Sequence, residues 1–99
     1  MNLQESNFKQ LIQALLALKT EKETSNFLRD LLTEREIKEF ATRWKAARLL
    51  SDKISYSKIE EETGLSSTTI ARISKWLNNG MGGYQLMINR VHHTNPSRK

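Results

Sequence analysis

Near the start of this chain of 99 residues the apolar positions fall three and four apart. Phe8, Leu11, Ile12, Leu15 and Leu16 therefore share one face of a helix predicted over Leu3 to Leu18. Thr20 to Thr24 is polar and reads as a connection, after which Phe27, Leu28, Leu31 and Leu32 mark a short second helix. Thr33 stands three residues before Glu36, the spacing of a capping box, and so opens a third helix. Ile37, Phe40, Ala41, Trp44 and Ala47 carry that helix to about Leu50. Ser51, Asp52 and Lys53 form a link. Ser55 then caps a fourth helix, Tyr56 to Thr63, and Gly64 ends it by taking the left-handed conformation without steric cost. Ser66 caps a fifth helix running to about Asn78. Asn79, Gly80, Gly82 and Gly83 make a break before a short last helix carrying Tyr84, Leu86, Met87, Ile88 and Val91. No run alternates with the period of a strand, so the fold class is all-α.

Length and charge sharpen this picture. A chain this short buries one modest core, so we expect a single helical domain over residues 1–91, helped by a second subunit. The absence of cysteine excludes a disulfide framework and a thiolate zinc site, and is compatible with a reducing cytoplasm. The longest apolar stretch, Leu11 to Leu18, is too short to cross a bilayer, and the start lacks a basic leader. A cytoplasmic protein with no membrane partner is the expectation. The net charge is +5, and its placement is uneven. Beyond residue 64 the chain holds Arg72, Lys75, Arg90, Arg98 and Lys99 and no acid, so the whole excess lies in its last third. This asymmetry points to an anionic partner there, with residues 92–99 read as a disordered basic tail.

The informative segment is Ser55 to Leu77. A helix-turn-helix needs an apolar residue in its first helix, a glycine at the turn, an apolar residue after it, a capping hydroxyl and an apolar inner face on the second helix. Ile59, Gly64, Leu65, Ser66 and the set Ile70, Ile73 and Leu77 fill these places in order. At about 100° per residue, Thr68, Arg72 and Lys75 share the opposite face of the fifth helix. Arginine grips guanine with two hydrogen bonds, threonine meets a thymine methyl or a phosphate, and lysine pairs with phosphate. Ser66, Ser67, Thr68, Thr69, Arg72 and Lys75, with Lys58 on the fourth helix, are thus the candidate contacts to double-stranded DNA.

These residues resemble the tryptophan-repressor superfamily, more closely its small bacterial branch of YerC/YecD type. The resemblance covers about Leu32 to Val91: Leu32-Thr33, Ala46-Ala47-Arg48-Leu49-Leu50, Glu61-Glu62-Thr63-Gly64, Ser66, Thr69-Ile70, Arg72, Leu77-Asn78 and Gly80-Met81-Gly82-Gly83-Tyr84. It implies an all-helical, intertwined homodimer, joined through its N-terminal helices, that sets two reading helices in successive major grooves. Two departures stand out. Many helix-turn-helix units place alanine after the first apolar residue, where Glu60 stands here and implies looser packing. Glu60, Glu61 and Glu62 also put acid where the tryptophan repressor makes basic contacts to DNA.

The tryptophan repressor holds the indole of its corepressor between two arginines. Arg72 matches one, and Arg43 the other after a gap of one residue. Ile73 and Trp76, however, occupy matched positions that must be small or polar for the ligand, so no tryptophan corepressor is expected. Trp44 and Trp76 read as packing residues.

Gly80, Gly82 and Gly83 lack the Gly-Lys-Ser/Thr ending of a phosphate loop. His92 and His93 point about 100° apart on a helix and do not share a metal. No nucleophile stands with a base and no cofactor motif is present, so the reading is a transcriptional regulator, a repressor, and not an enzyme. The competing reading is a protein-interaction or oligomerisation module that keeps the helix-turn-helix geometry without DNA.

Overall fold

In a computed structural model, residues 5–94 are described, and all regular structure among them is helical. The elements are α1 (Ser6–Ala17), α2 (Glu21–Leu31), α3 (Glu34–Ser51), α4 (Tyr56–Thr63), α5 (Ser67–Asn79) and α6 (Gly83–Thr94). The chain divides between Lys38 and Glu39 into two compact units.

Capping chemistry sets the helix starts in the first unit. The Glu5 carboxylate accepts from the N–H groups of Asn7 and Phe8, at 3.1 and 3.0 Å, so α1 starts at Ser6 rather than at Leu3. Leu3 and Gln4 lie outside the described residues. α2 is longer than its apolar pattern predicts. Thr20 Oγ1 accepts from the Glu23 N–H, and Glu23 Oε1 accepts from the Lys19 N–H, so residues 21–24 are helix rather than connection. The capping box predicted at Thr33 is present: Glu36 N–H donates to Thr33 Oγ1 at 3.1 Å and Thr33 N–H to Glu36 Oε1 at 2.9 Å. Neither α1 nor α2 contains a buried residue. Leu16 is 79% exposed, and Ile12, Leu15 and Leu31 are also left to solvent.

The second unit holds the core. Ala46 and Ala47 of α3, Ile59 of α4 and Ile70 and Ile73 of α5 form one buried cluster. Leu49, Leu50, Ile54, Leu65, Tyr84 and Ile88 pack around it, and Leu77 is also buried. The two alanines have no accessible surface. Trp44 of α3 and Tyr84 of α6 stack with ring centroids 6.5 Å apart. Gly80 caps the end of α5, its N–H donating to Trp76 O at 2.9 Å, and a Cβ there would clash with that carbonyl. α6 runs to Thr94, so residues 92–94 of the expected tail are helical. Residues 95–99 lie outside the described residues.

The turn between α3 and α4 has an unusual residue. Asp52 N–H is shared between the carbonyls of Arg48 and Leu49, Lys53 N–H donates to Leu50 O, and Ile54 N–H donates to Leu49 O. This closure places Lys53 at φ 64°, the left-handed region that favours glycine.

Candidate nucleic-acid interface

α4, the turn Gly64-Leu65-Ser66 and α5 form the predicted helix-turn-helix. Ser55 starts it by accepting from the Lys58 N–H at 3.2 Å. At its far end Gly64 adopts φ 74° and its N–H donates to Glu60 O at 2.9 Å. A Cβ there would meet no atom within 4 Å, so the backbone angle alone requires glycine. Thr63, named in the sequence only as the end of α4 and within the family resemblance, also ties the turn. Its hydroxyl donates to Ile59 O and accepts from the Leu65 N–H at 3.2 Å. A threonine just before a helix-ending glycine is the only signal for this, and a weak one.

The structural residues sit where the pattern predicts. Ile59, Ile70, Ile73 and Leu77 are buried and Leu65 is half-buried. Glu60 is exposed, and Ile59 and Ile70 beside it have no accessible surface. The expected loosening is absent: Glu60 turns to solvent, and Ile59 and Ile70 are buried in one cluster with Ala46 and Ala47 of α3.

The candidate contact residues divide by what their side chains already do. Ser67, Thr68, Arg72 and Lys75 are exposed on α5, which carries no acidic residue. Ser66 Oγ accepts from the Thr69 N–H at 3.2 Å and donates to Thr69 Oγ1 at 3.1 Å, so these two hydroxyls are committed to the cap. Thr69 is also half-buried. Lys58 is exposed and lies 3.7 Å from Glu61 Oε1, an ion pair between solvated side chains that is worth little. Helix positions N1 and N2 of α5, Ser67 and Thr68, thus present backbone N–H groups outside the cap and small hydroxyls, a setting that favours phosphate.

Two concavities flank α5. One, of about 500 Å³, is apolar and lined by Trp44, Trp76, Met81, Tyr84 and Met87. Trp76, read from the sequence as a packing residue, is instead 46% exposed there. The other, of about 460 Å³, is polar: Lys53 and Tyr56 from the α3–α4 turn and the start of α4 line it with Ser74 and Asn78 of α5. Arg43 stands 5.9 Å from the centroid of the Phe40 ring.

Residues 6–92 match the family model of the Trp repressor protein. The chain belongs to the Trp repressor family. Among its relatives is the uncharacterized protein YerC of Bacillus subtilis (strain 168), 41% identical over 85 residues that cover 86% of this chain and 82% of YerC. A TrpR-like protein from Eubacterium eligens ATCC 27750 superposes with a TM-score of 0.86 at 36% identity, covering 91% of this chain and 93% of that one. A candidate Trp repressor from Staphylococcus aureus gives 0.84 at 30% identity, covering 91% and 90%. The Trp repressor fold is therefore the fold of this chain, and the YerC-type resemblance read from its motifs holds. Within it, the family's helix-turn-helix is the segment formed by α4 and α5.

Proposed function

We propose that this protein is a homodimeric transcriptional regulator that binds double-stranded DNA sequence-specifically and represses. The observation that carries the reading is α5: its inner face is locked in the core through Ile70, Ile73 and Leu77, and its outer face offers Thr68, Arg72 and Lys75 without an acid. A rigid helix with a cationic, hydroxyl-bearing face suits the major groove, which is about 12 Å wide. Ser67 and Thr68 enter first, Arg72 reads a base, and Lys75 and Lys58 meet phosphates. Ser66 and Thr69 hold the end of the helix in register.

A homodimer is supported by the N-terminal helices. α1 and α2 bury no residue of their own while Ile12, Leu15, Leu16 and Leu31 are exposed, an apolar surface suited to a second copy. Two such subunits would present their α5 helices to half-sites about 34 Å apart, one turn of DNA. Among the described residues no helix is long and apolar enough to cross a membrane, and we place the regulator in the cytoplasm.

Salt dependence tests the reading against a protein-interaction module with the same geometry. Affinity for DNA is expected to fall with a slope of about −0.9 in log K against log salt for each phosphate neutralised. Binding titrations on fragments enriched from a random DNA pool check this, and an affinity flat in salt would favour the protein-interaction reading.

Free tryptophan is not the effector in this proposal. Ile73 is buried with 1% of its surface accessible and Trp76 lines the apolar concavity beside α5, so large side chains stand at the two positions that must be small or polar for the ligand. Isothermal calorimetry is expected to register no binding of tryptophan at micromolar concentration; a saturable heat in that range would refute this.

A further inference from the structure

We propose that the polar cleft lined by Lys53, Tyr56, Ser74 and Asn78 seats a backbone phosphate of the DNA whose bases α5 reads, an inference that rests on the DNA-binding reading above. The placement of Ser74 and Asn78 carries the argument. At about 100° per residue they fall on the strip of α5 between its buried face, Ile73, Leu77 and Ile70, and the outward face that begins at Lys75. A helix about 10–12 Å across fills a major groove about 12 Å wide, so its lateral strips, not its leading face, lie against the two rows of phosphates. The cleft opens along one of these strips.

Its lining suits an anion. Lys53 brings an ammonium group, Tyr56 a phenol that is 41% exposed, and Ser51 and Ser74 hydroxyls, and no carboxylate is among the lining residues. The strip is also held in shape: Asn78 Nδ2 donates to Ser74 O at 2.9 Å, and Gln85 Nε2 from α6 donates to Leu77 O at 3.3 Å. The volume of about 460 Å³ admits a phosphodiester with its water. Lys53 stands at φ 64°, where glycine would serve the turn with less strain, so the turn itself does not account for a lysine at this place. A cation on a short, hydrogen-bonded turn reaches the phosphate row without belonging to either helix of the reading unit.

The same backbone angle supplies a clean test. Lys53→Gly removes the ammonium group and leaves a residue that takes the left-handed conformation freely, so the melting temperature is expected to stay equal or rise. On an enriched DNA fragment and its single-base variants, the affinity of Lys53→Gly should fall about 3- to 10-fold on every sequence, with the order of base preference unchanged and the salt slope reduced by about 0.9. Tyr56→Phe should weaken binding less and leave the slope alone, because the phenol is neutral. An unchanged affinity and slope for Lys53→Gly, with Arg72→Ala still impaired on the same DNA, would overturn the cleft and leave the DNA-binding reading standing. Failure of the unsubstituted protein to bind any DNA at low salt would overturn both.

Discussion

Replacing Arg72 with alanine is expected to weaken DNA binding by about 1–3 kcal/mol per half-site, roughly 5- to 150-fold, and to flatten the preference at a single base pair. Arg72 lies on the exposed face of α5 and its loss removes nothing from the core, so the variant should fold with a stability within about 0.5 kcal/mol of the parent. The two halves of this expectation separate base reading from simple attraction. A guanidinium that donates two hydrogen bonds to guanine O6 and N7 discriminates among bases, whereas a cation set on a phosphate weakens all sequences alike. Titrating Arg72→Ala and Arg72→Lys against the full set of single-base variants of an enriched site measures this directly. Lysine keeps the charge and loses the fork, so it should restore part of the affinity and little of the selectivity. An affinity and base preference indistinguishable from the parent would remove Arg72 from the reading face.

The elements of the reading unit were legible because each is set by short-range chemistry. Ser55, Gly64 and Ser66 act within three or four residues of themselves, and the 3.6-residue period alone assigns Ile59, Ile70, Ile73 and Leu77 to one side. The same rules, applied to Thr20 and Glu23, would have started α2 at Glu21, but its apolar residues begin only at Phe27 and drew the boundary late. Features made by the approach of distant segments left no such trace. Nothing in a lysine marks it for φ 64°, and the polar cleft exists only because the α3–α4 turn lies against α5. The expected looseness at Glu60 failed for a related reason. The local pattern shows a large residue where a small one is customary, but it does not show that this residue faces solvent while Ile59 and Ile70 join Ala46 and Ala47 in the core. Thr69 illustrates the converse: its residue type suits base contact, and its position next to the cap commits its hydroxyl elsewhere.

Ile70→Ala should lower stability by about 2–5 kcal/mol. Ile70 has no accessible surface and lies in one cluster with Ile59, Ile73, Ala46 and Ala47, where the alanines already leave no longer side chain to swing into the void. Truncation therefore adds a cavity term to the lost transfer free energy, in a domain whose total stability is on the order of 5–15 kcal/mol. Ile70→Val, which removes one methylene, should cost only about 0.5–1.5 kcal/mol. In urea titrations the midpoint should fall in that order while the slope, set by the surface exposed on unfolding, stays constant. These curves also carry the assembly question, because a protein that unfolds from a dimer gains stability with protein concentration. The parent and both variants are expected to show the same upward shift of midpoint on concentration, since Ile70 is buried within the second unit and the exposed apolar side chains of α1 and α2 are untouched. At low temperature, where a folded population of Ile70→Ala persists, its DNA affinity should fall without the change in base preference that marks Arg72→Ala. On these expectations the core residue governs how firmly α5 is held, and the exposed arginine would govern what it reads. A stability for Ile70→Ala within 0.5 kcal/mol of the parent would contradict the packing on which the presentation of α5 depends.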